Sequence, residues 1–212
     1  MKIKWLGHSC FLITSESGVR MLTDPFDNTV GYELPKAEAD IVTSSHNHFD
    51  HNHICVVKGN FKVVEKPGEF SEKGIGIKGV PTYHDKNGGK ERGENIVYNF
   101  TIDGINVCHC GDLGHILTEE QVNGIGSVDI LLLPVGGTFT IDAAEAKEVM
   151  EQLNPKVVIP MHYKTDVLDF PVDGVDKFLS IAGGGKKAGR QEIEISKECL
   201  DEMHGIVVLE YK

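Results

Sequence analysis

The 212-residue chain carries 21 Lys+Arg against 32 Asp+Glu, a formal charge of −11, with 40% hydrophobic and 25% charged residues. Those proportions are ordinary for a folded domain and exclude wholesale disorder, while the acidic balance repels phosphate backbones and argues against a nucleic-acid partner. At this length one α/β domain over residues 1–212 is expected, with a core large enough to need no disulfide staples.

The first elements in chain order are short strands. Residues 2–6, 10–14 and 19–23 are apolar runs separated by Gly7-His8 and Glu16-Ser17-Gly18, which predicts an antiparallel meander. A fourth strand over 40–44 leads straight into a histidine-rich segment. Residues 61–64, 75–80, 96–102 and 105–110 continue the β pattern, with Asp103-Gly104 as a hairpin turn. Continuous apolar runs at 129–133 and 157–160 read as buried strands, and 206–211 as a closing strand. Helices are fewer. Asp142 and Glu145 have capping-box spacing and open a helix running to Leu153, where Asn154-Pro155 stops it. Shorter helices are expected over 118–123 and 175–181.

Several classes drop out. The apolar run 130–135 is far too short to span a bilayer, and Gly7-His8 interrupts any leader-like apolar region. Five cysteines (Cys10, Cys55, Cys108, Cys110, Cys199) are an odd number in apolar contexts and read as reduced core residues of a cytoplasmic protein. Gly74-x-Gly76-x-x-Gly79 precedes Val80-Pro81, which cannot open the helix that a dinucleotide site requires.

The informative segment is His46-Asn47-His48-Phe49-Asp50-His51. Residues i and i+2 of an extended chain point to one side, so His46 and His48 can grip one ion. Asp50 and His51 then fall where the chain turns into an expected helix, and can face a second ion. Imidazole and carboxylate suit zinc, manganese or iron. Four ligands do not complete two sites, so the remainder must come from other strand ends: His84, His109 and Asp112, and His162.

Together these motifs resemble the metallo-β-lactamase-fold hydrolase superfamily. The likeness runs from Trp5-Leu-Gly-His8-Ser-Cys-Phe-Leu-Ile13 through Asp24, the box, Gly111-Asp112 and Met161-His162-Tyr-Lys164. Within it the chain is most similar to the branch holding ascorbate-6-phosphate lactonase and N-acyl-phosphatidylethanolamine phospholipase D. The resemblance implies a four-layer αββα sandwich, two mixed sheets packed face to face with helices outside. It implies His46, His48 and a third histidine at one metal, Asp50, His51 and His162 at the other, and Asp112 bridging. His84 fits the family order for that third histidine, with His109, only just before Asp112, as the alternative.

An Asp at position 24 resembles the residue that orients a metal-binding histidine. His8 falls either near the pocket or in a hydrogen-bonded turn, and His53 on the following helix is expected in solvent. Asp50 is expected to hold the second ion and orient the nucleophile, with His115 or Tyr163 donating a proton to the leaving group or a developing oxyanion. The implied activity is that of a dinuclear metal-dependent hydrolase, with two divalent ions (zinc first, manganese or iron next) sharing the hydroxide that attacks. The implied substrate is a small ester, lactone or phosphodiester, phosphorylated if the branch likeness holds. No membrane partner is expected, and a symmetric homo-oligomer suits a chain of this size. A di-iron redox protein and a non-catalytic metal-binding module are the readings from other classes.

Overall fold

The computed structural model describes residues 1–200 and 202–212. Alternation along the first strands sorts side chains between two cores, because successive residues of a strand face opposite ways. In β1 (Lys2–Gly7), β2 (Cys10–Thr14), β3 (Arg20–Thr23) and β4 (Ile41–Thr43), the residues Ile3, Trp5, Phe11, Ile13, Met21 and Ile41 enter one core. Their neighbours Cys10, Leu22 and Val42 enter a second, on the other face of the sheet. With β5 (Lys62–Val64) and β13 (Glu192–Glu194), these strands form a six-stranded mixed sheet in the order β13-β1-β2-β3-β4-β5.

The larger sheet has eight strands, in the order β12-β14-β11-β10-β9-β8-β7-β6. They are β6 (Gly68–Glu72), β7 (Ile75–Tyr83), β8 (Glu94–Ile102), β9 (Ile105–His109), β10 (Ile130–Pro134), β11 (Val157–Met161), β12 (Lys186–Lys187) and β14 (Gly205–Val208). Every residue of β10 and β11 is buried, as expected for parallel strands covered on both faces. Asp103 and Gly104 both adopt positive φ (52° and 74°), making the tight β8–β9 turn.

Helix α1 (Glu119–Ile125) packs on β7 and β8, whereas α2 (Ala143–Leu153) packs on β10 and on α3 (Val175–Ala182). The Asp142–Glu145 capping box forms as expected, and Asn154 ends α2 in the left-handed region just before Pro155. The fold is thus the α/β sandwich of two mixed sheets. Its helices are few, and the second core on the outside of the smaller sheet is filled by Phe26, Val30, Tyr32, Leu168 and Val172 from loops.

Some expectations need correcting. The box is followed by a single 3-10 turn, Ile54–Val56, not an α-helix: His53 N–H donates to Pro25 O, so the chain is tied down before a second turn can form. Edge strand β6 was not anticipated, since Gly68–Glu72 has almost no buried face. Short β12, β13 and the single helical turn α4 (Lys197–Leu200) also lacked a periodic signal. Cys55 and Cys199 are exposed, so only three cysteines are core residues. Among the described residues no helix is long and apolar enough to cross a membrane.

Candidate metal centre

The carboxyl ends of β3, β4, β7, β9 and β11, with the β1–β2 turn, meet at one edge of the sandwich, where backbone is free to present side chains. There the chain gathers three overlapping groups of side chains whose ligand atoms lie within 4.8 Å of one another: His46, His48 and His84; His8, Asp50, His51 and His162; and His46, His51 and Asp112. Every residue expected to hold metal is in this cluster. Asp112 joins its halves, with Oδ2 3.2 Å from His84 Nε2 and 3.3 Å from His162 Nε2, and Oδ1 3.2 Å from His51 Nε2.

The local backbone explains the convergence. Gly111, at φ 55°, lets the chain turn into Asp112 against its neighbours, since a Cβ there would meet Asn95 Oδ1 at 2.4 Å and Ser45 Cβ at 2.5 Å. Asn95 Oδ1 accepts the Asp112 N–H at 2.9 Å while its amide donates to Thr82 Oγ1 and the Cys110 carbonyl. His8, Asp24 and His162 all sit at positive φ (52°, 42° and 51°), strain that the surrounding bonds hold in place. The His8 carbonyl accepts from Trp5 Nε1 at 2.9 Å and His162 N at 3.2 Å.

Asp24 sets the histidine tautomers. Its Oδ2 accepts His51 Nδ1–H at 2.8 Å and the Ser45 hydroxyl at 2.5 Å, and its Oδ1 accepts Ser45 N–H at 2.8 Å. The Ser45 proton being committed, His46 Nδ1–H donates to Ser45 Oγ at 2.9 Å. Both rings therefore turn an Nε2 lone pair into the cluster. Ser45 and Asn95, which hold these ligands in place, carried no signal in the sequence beyond being small polar residues.

The electrostatics follow from crowding. Burial, then the charge of His51, pushes His46 down to about 3; burial and His162 push His8 down to about 4. His51 goes the other way: burial disfavours its charge, but Asp112 and Asp50 raise it well above the usual range. Burial raises Asp112, yet His162 and His51 outweigh it and hold the carboxyl well down. The donor set fits metal ions. His46 Nε2 is buried without a hydrogen-bond partner, as are Nδ1 of His84 and His162, while Nε2 of His51, His84 and His162 faces Asp112 carboxylate oxygens at 3.2–3.3 Å. Each such orphan costs about 1–3 kcal/mol unless something ligates it.

The remaining expected residues separate cleanly. His109 stays out of the cluster: its Nε2–H donates to the Ser9 carbonyl at 2.8 Å and its Nδ1 accepts from Gly111 N at 3.1 Å, so His84 is the histidine the fold brings in. His115 is committed as well, Nδ1–H to Ile116 O at 2.7 Å and Nε2 from Tyr83 N at 3.2 Å. Tyr163 points the other way, its hydroxyl donating to Leu209 O at 3.3 Å and its ring 5.3 Å from Trp5. Neither can supply a proton to the cluster from these positions. His8, which the sequence left open, belongs to the cluster: its Nε2–H donates to Asp50 Oδ2 at 3.2 Å and its ring is 4.2 Å from His162.

The chain has relatives among known proteins. The family profile described as "Beta-lactamase superfamily domain" matches residues 2–162. A UPF0173 metal-dependent hydrolase of Thermococcus onnurineus is 32% identical, the match covering 78% of this chain and 85% of the relative. One from Thermoplasma acidophilum is 31% identical over 86% and 91%. A Thermotoga maritima structure, described as a candidate zinc-dependent hydrolase of the metallo-β-lactamase superfamily, is 45% identical. It superposes with a TM-score of 0.82, covering 99% of this chain and 98% of that one.

Proposed function

The chain belongs to the β-lactamase superfamily, among its UPF0173 metal-dependent hydrolases, and on that premise we propose a dinuclear hydrolase acting on a small ester, lactone or phosphodiester. One observation supports the dinuclear reading: the Asp112 carboxylate lies within 3.3 Å of a histidine from each half of the cluster and would be available to a metal ion in either half. His46, His48 and His84 would hold one ion and Asp50, His51 and His162 the other; zinc suits the set, with manganese or iron next. Such a pair supplies an activated water at neutral pH and polarises the oxygen of the scissile group.

The chain's own contribution is positioning. Asp24 keeps the His46 and His51 lone pairs aimed inward. His8 Nε2–H fixes one oxygen of Asp50. Asn95 fixes the backbone of Asp112. Water is the source of the leaving-group proton, since His115 and Tyr163 are bonded elsewhere. The test is metal per chain in protein purified without added metal or chelator, followed by turnover of an ester, lactone and phosphodiester panel. About two equivalents with turnover of one class supports the reading; one equivalent or less after metal is offered sinks it.

A further inference from the structure

Asp85 directly follows the cluster residue His84, and its carboxylate gathers the loop beyond it. It accepts the backbone N–H groups of Asn87 (2.8 Å), Gly89 (2.9 Å), Glu91 (2.9 Å) and Arg92 (2.8 Å). His84 N–H in turn donates to Gly93 O at 3.0 Å. Arg92 is thereby tied to the cluster at both ends of its loop. It lines a cavity of about 610 Å³ that His46 and His48 also line, and another of about 360 Å³ shared with His84.

Its guanidinium carbon lies 5.5 Å from the centre of the Phe139 ring. A guanidinium over a ring face keeps its in-plane N–H fork available for a carboxylate or phosphate, and the neighbouring Glu91 carboxylate makes only a long ion pair with Nη1, at 3.9 Å. Arg92 is one of only three arginines in a chain of net charge −11, and Arg20 is already paired with Glu38 and Asp40. Aromatic rings continue from Phe139 toward the ligands: Phe170 is 6.0 Å away, meets His8 edge-on at 5.7 Å, and has Phe49 at 6.5 Å. Phe49, between His48 and Asp50, is 55% exposed. Lys164 holds the Phe170 segment by donating to its carbonyl at 3.3 Å.

We propose that Arg92 determines specificity by capturing a carboxylate or phosphate on the substrate, whose apolar part rests on Phe49, Phe139 and Phe170. The proposal deepens the hydrolase reading and rests on the same site, naming an amphipathic, anionic substrate class for it.

Binding is tested without turnover, by calorimetric titration of 4-methylbenzoate, phenyl phosphate and neutral 4-methylbenzamide into the protein as purified. Wild type should bind the anions more tightly than the amide. Arg92→Gln should weaken anion binding by roughly 10- to 100-fold, the loss of a charge-assisted pair. Arg92→Lys, which keeps the charge and loses the fork, should fall between, and serves alone if the glutamine variant fails to fold. The anion with the larger Arg92-dependent loss names the recognised group. Anions bound no tighter than the amide, or held by Arg92→Gln within about twofold, overturn the proposal. In parallel, 4-acetoxybenzoate and its methyl ester are offered as substrates. No ester, lactone or phosphodiester turnover beside Arg92-dependent binding sinks the hydrolase reading alone; turnover with Arg92-independent binding sinks this inference alone.

Discussion

Replacing Asp24 by Asn tests whether one carboxylate orders the centre. The side chain is fully buried and accepts three hydrogen bonds, from Ser45 N, Ser45 Oγ and His51 Nδ1. An amide cannot satisfy all three. If its NH₂ replaces Oδ2, it confronts His51 Nδ1–H, and only a His51 that gives up that proton can accept from it, which leaves the remaining proton on Nε2, where the lone pair was needed. If its NH₂ replaces Oδ1, it confronts the Ser45 backbone N–H, which cannot adjust. One buried charged hydrogen bond is lost either way, about 1–3 kcal/mol in chelator-treated protein, or a fall of roughly 3–10 °C in Tm at this chain length. Loss of a group that orients a ligating histidine lowers metal affinity by about 10- to 100-fold. Competition against a graded set of chelators reads the affinity, and calorimetric melting reads the stability. Wild-type metal affinity in Asp24→Asn, within about twofold, would refute the tautomer argument.

Three further outcomes follow from the same geometry. Asp112→Ala should reduce bound metal to at most one equivalent and lower turnover by more than about 100-fold, because its carboxylate faces both halves of the cluster; plasma mass spectrometry with the same panel decides, and two retained equivalents would remove Asp112 as a bridge. Gly111→Ala should cost about 2–4 kcal/mol in denaturant unfolding, since its φ of 55° is strained for alanine and the new Cβ would sit 2.4 Å from Asn95 Oδ1; an unchanged midpoint would refute this. In metal-free protein His51 holds a proton because Asp112 and Asp50 overcome its burial. That stabilises the metal-free fold fully below the ordinary histidine range near 6.5 and is lost as pH rises through the raised value. Ligation at His51 Nε2 must displace that proton. Apparent affinity should therefore rise with pH between about pH 6 and 8; a flat profile would contradict the assignment.

The box and its partners were legible because metal ligation demands particular residue types at strand ends, and strands announce themselves by apolar runs. His46 through His51, Asp112 and His162 could be placed from spacing and family order. Family order favoured His84 over His109 but left His109 as the alternative, since both end β runs; what separates them is that His109 satisfies both ring nitrogens with backbone of residues 9 and 111, a tertiary fact. The positions of His115 and Tyr163 were opaque for the same reason: adjacency to a ligand says nothing about which way a side chain turns. His162 at φ 51° reverses the chain, so Tyr163 packs on Trp5 instead of facing the histidine–aspartate cluster. Strands β6 and β12 were missed because exposed edges need no apolar periodicity.

His8, Asp24 and His162 share a property that ties fold to chemistry. Each is a non-glycine residue in the left-handed region, each follows or ends a strand, and each is fully buried in the cluster. Glycine at any of them would relieve the backbone and remove a functional side chain, so the sequence accepts strain where it needs an imidazole or carboxylate aimed inward. The compensation is visible in their bonds: the His8 carbonyl takes two N–H donors, Asp24 N–H donates to the Thr43 carbonyl at 2.9 Å, and His162 N–H closes onto His8. Those bonds join β1, β3, β4 and β11, strands of both sheets. Docking the two sheets is therefore what holds the ligands, and a disturbance at the sheet–sheet core would reach the metal centre through backbone alone.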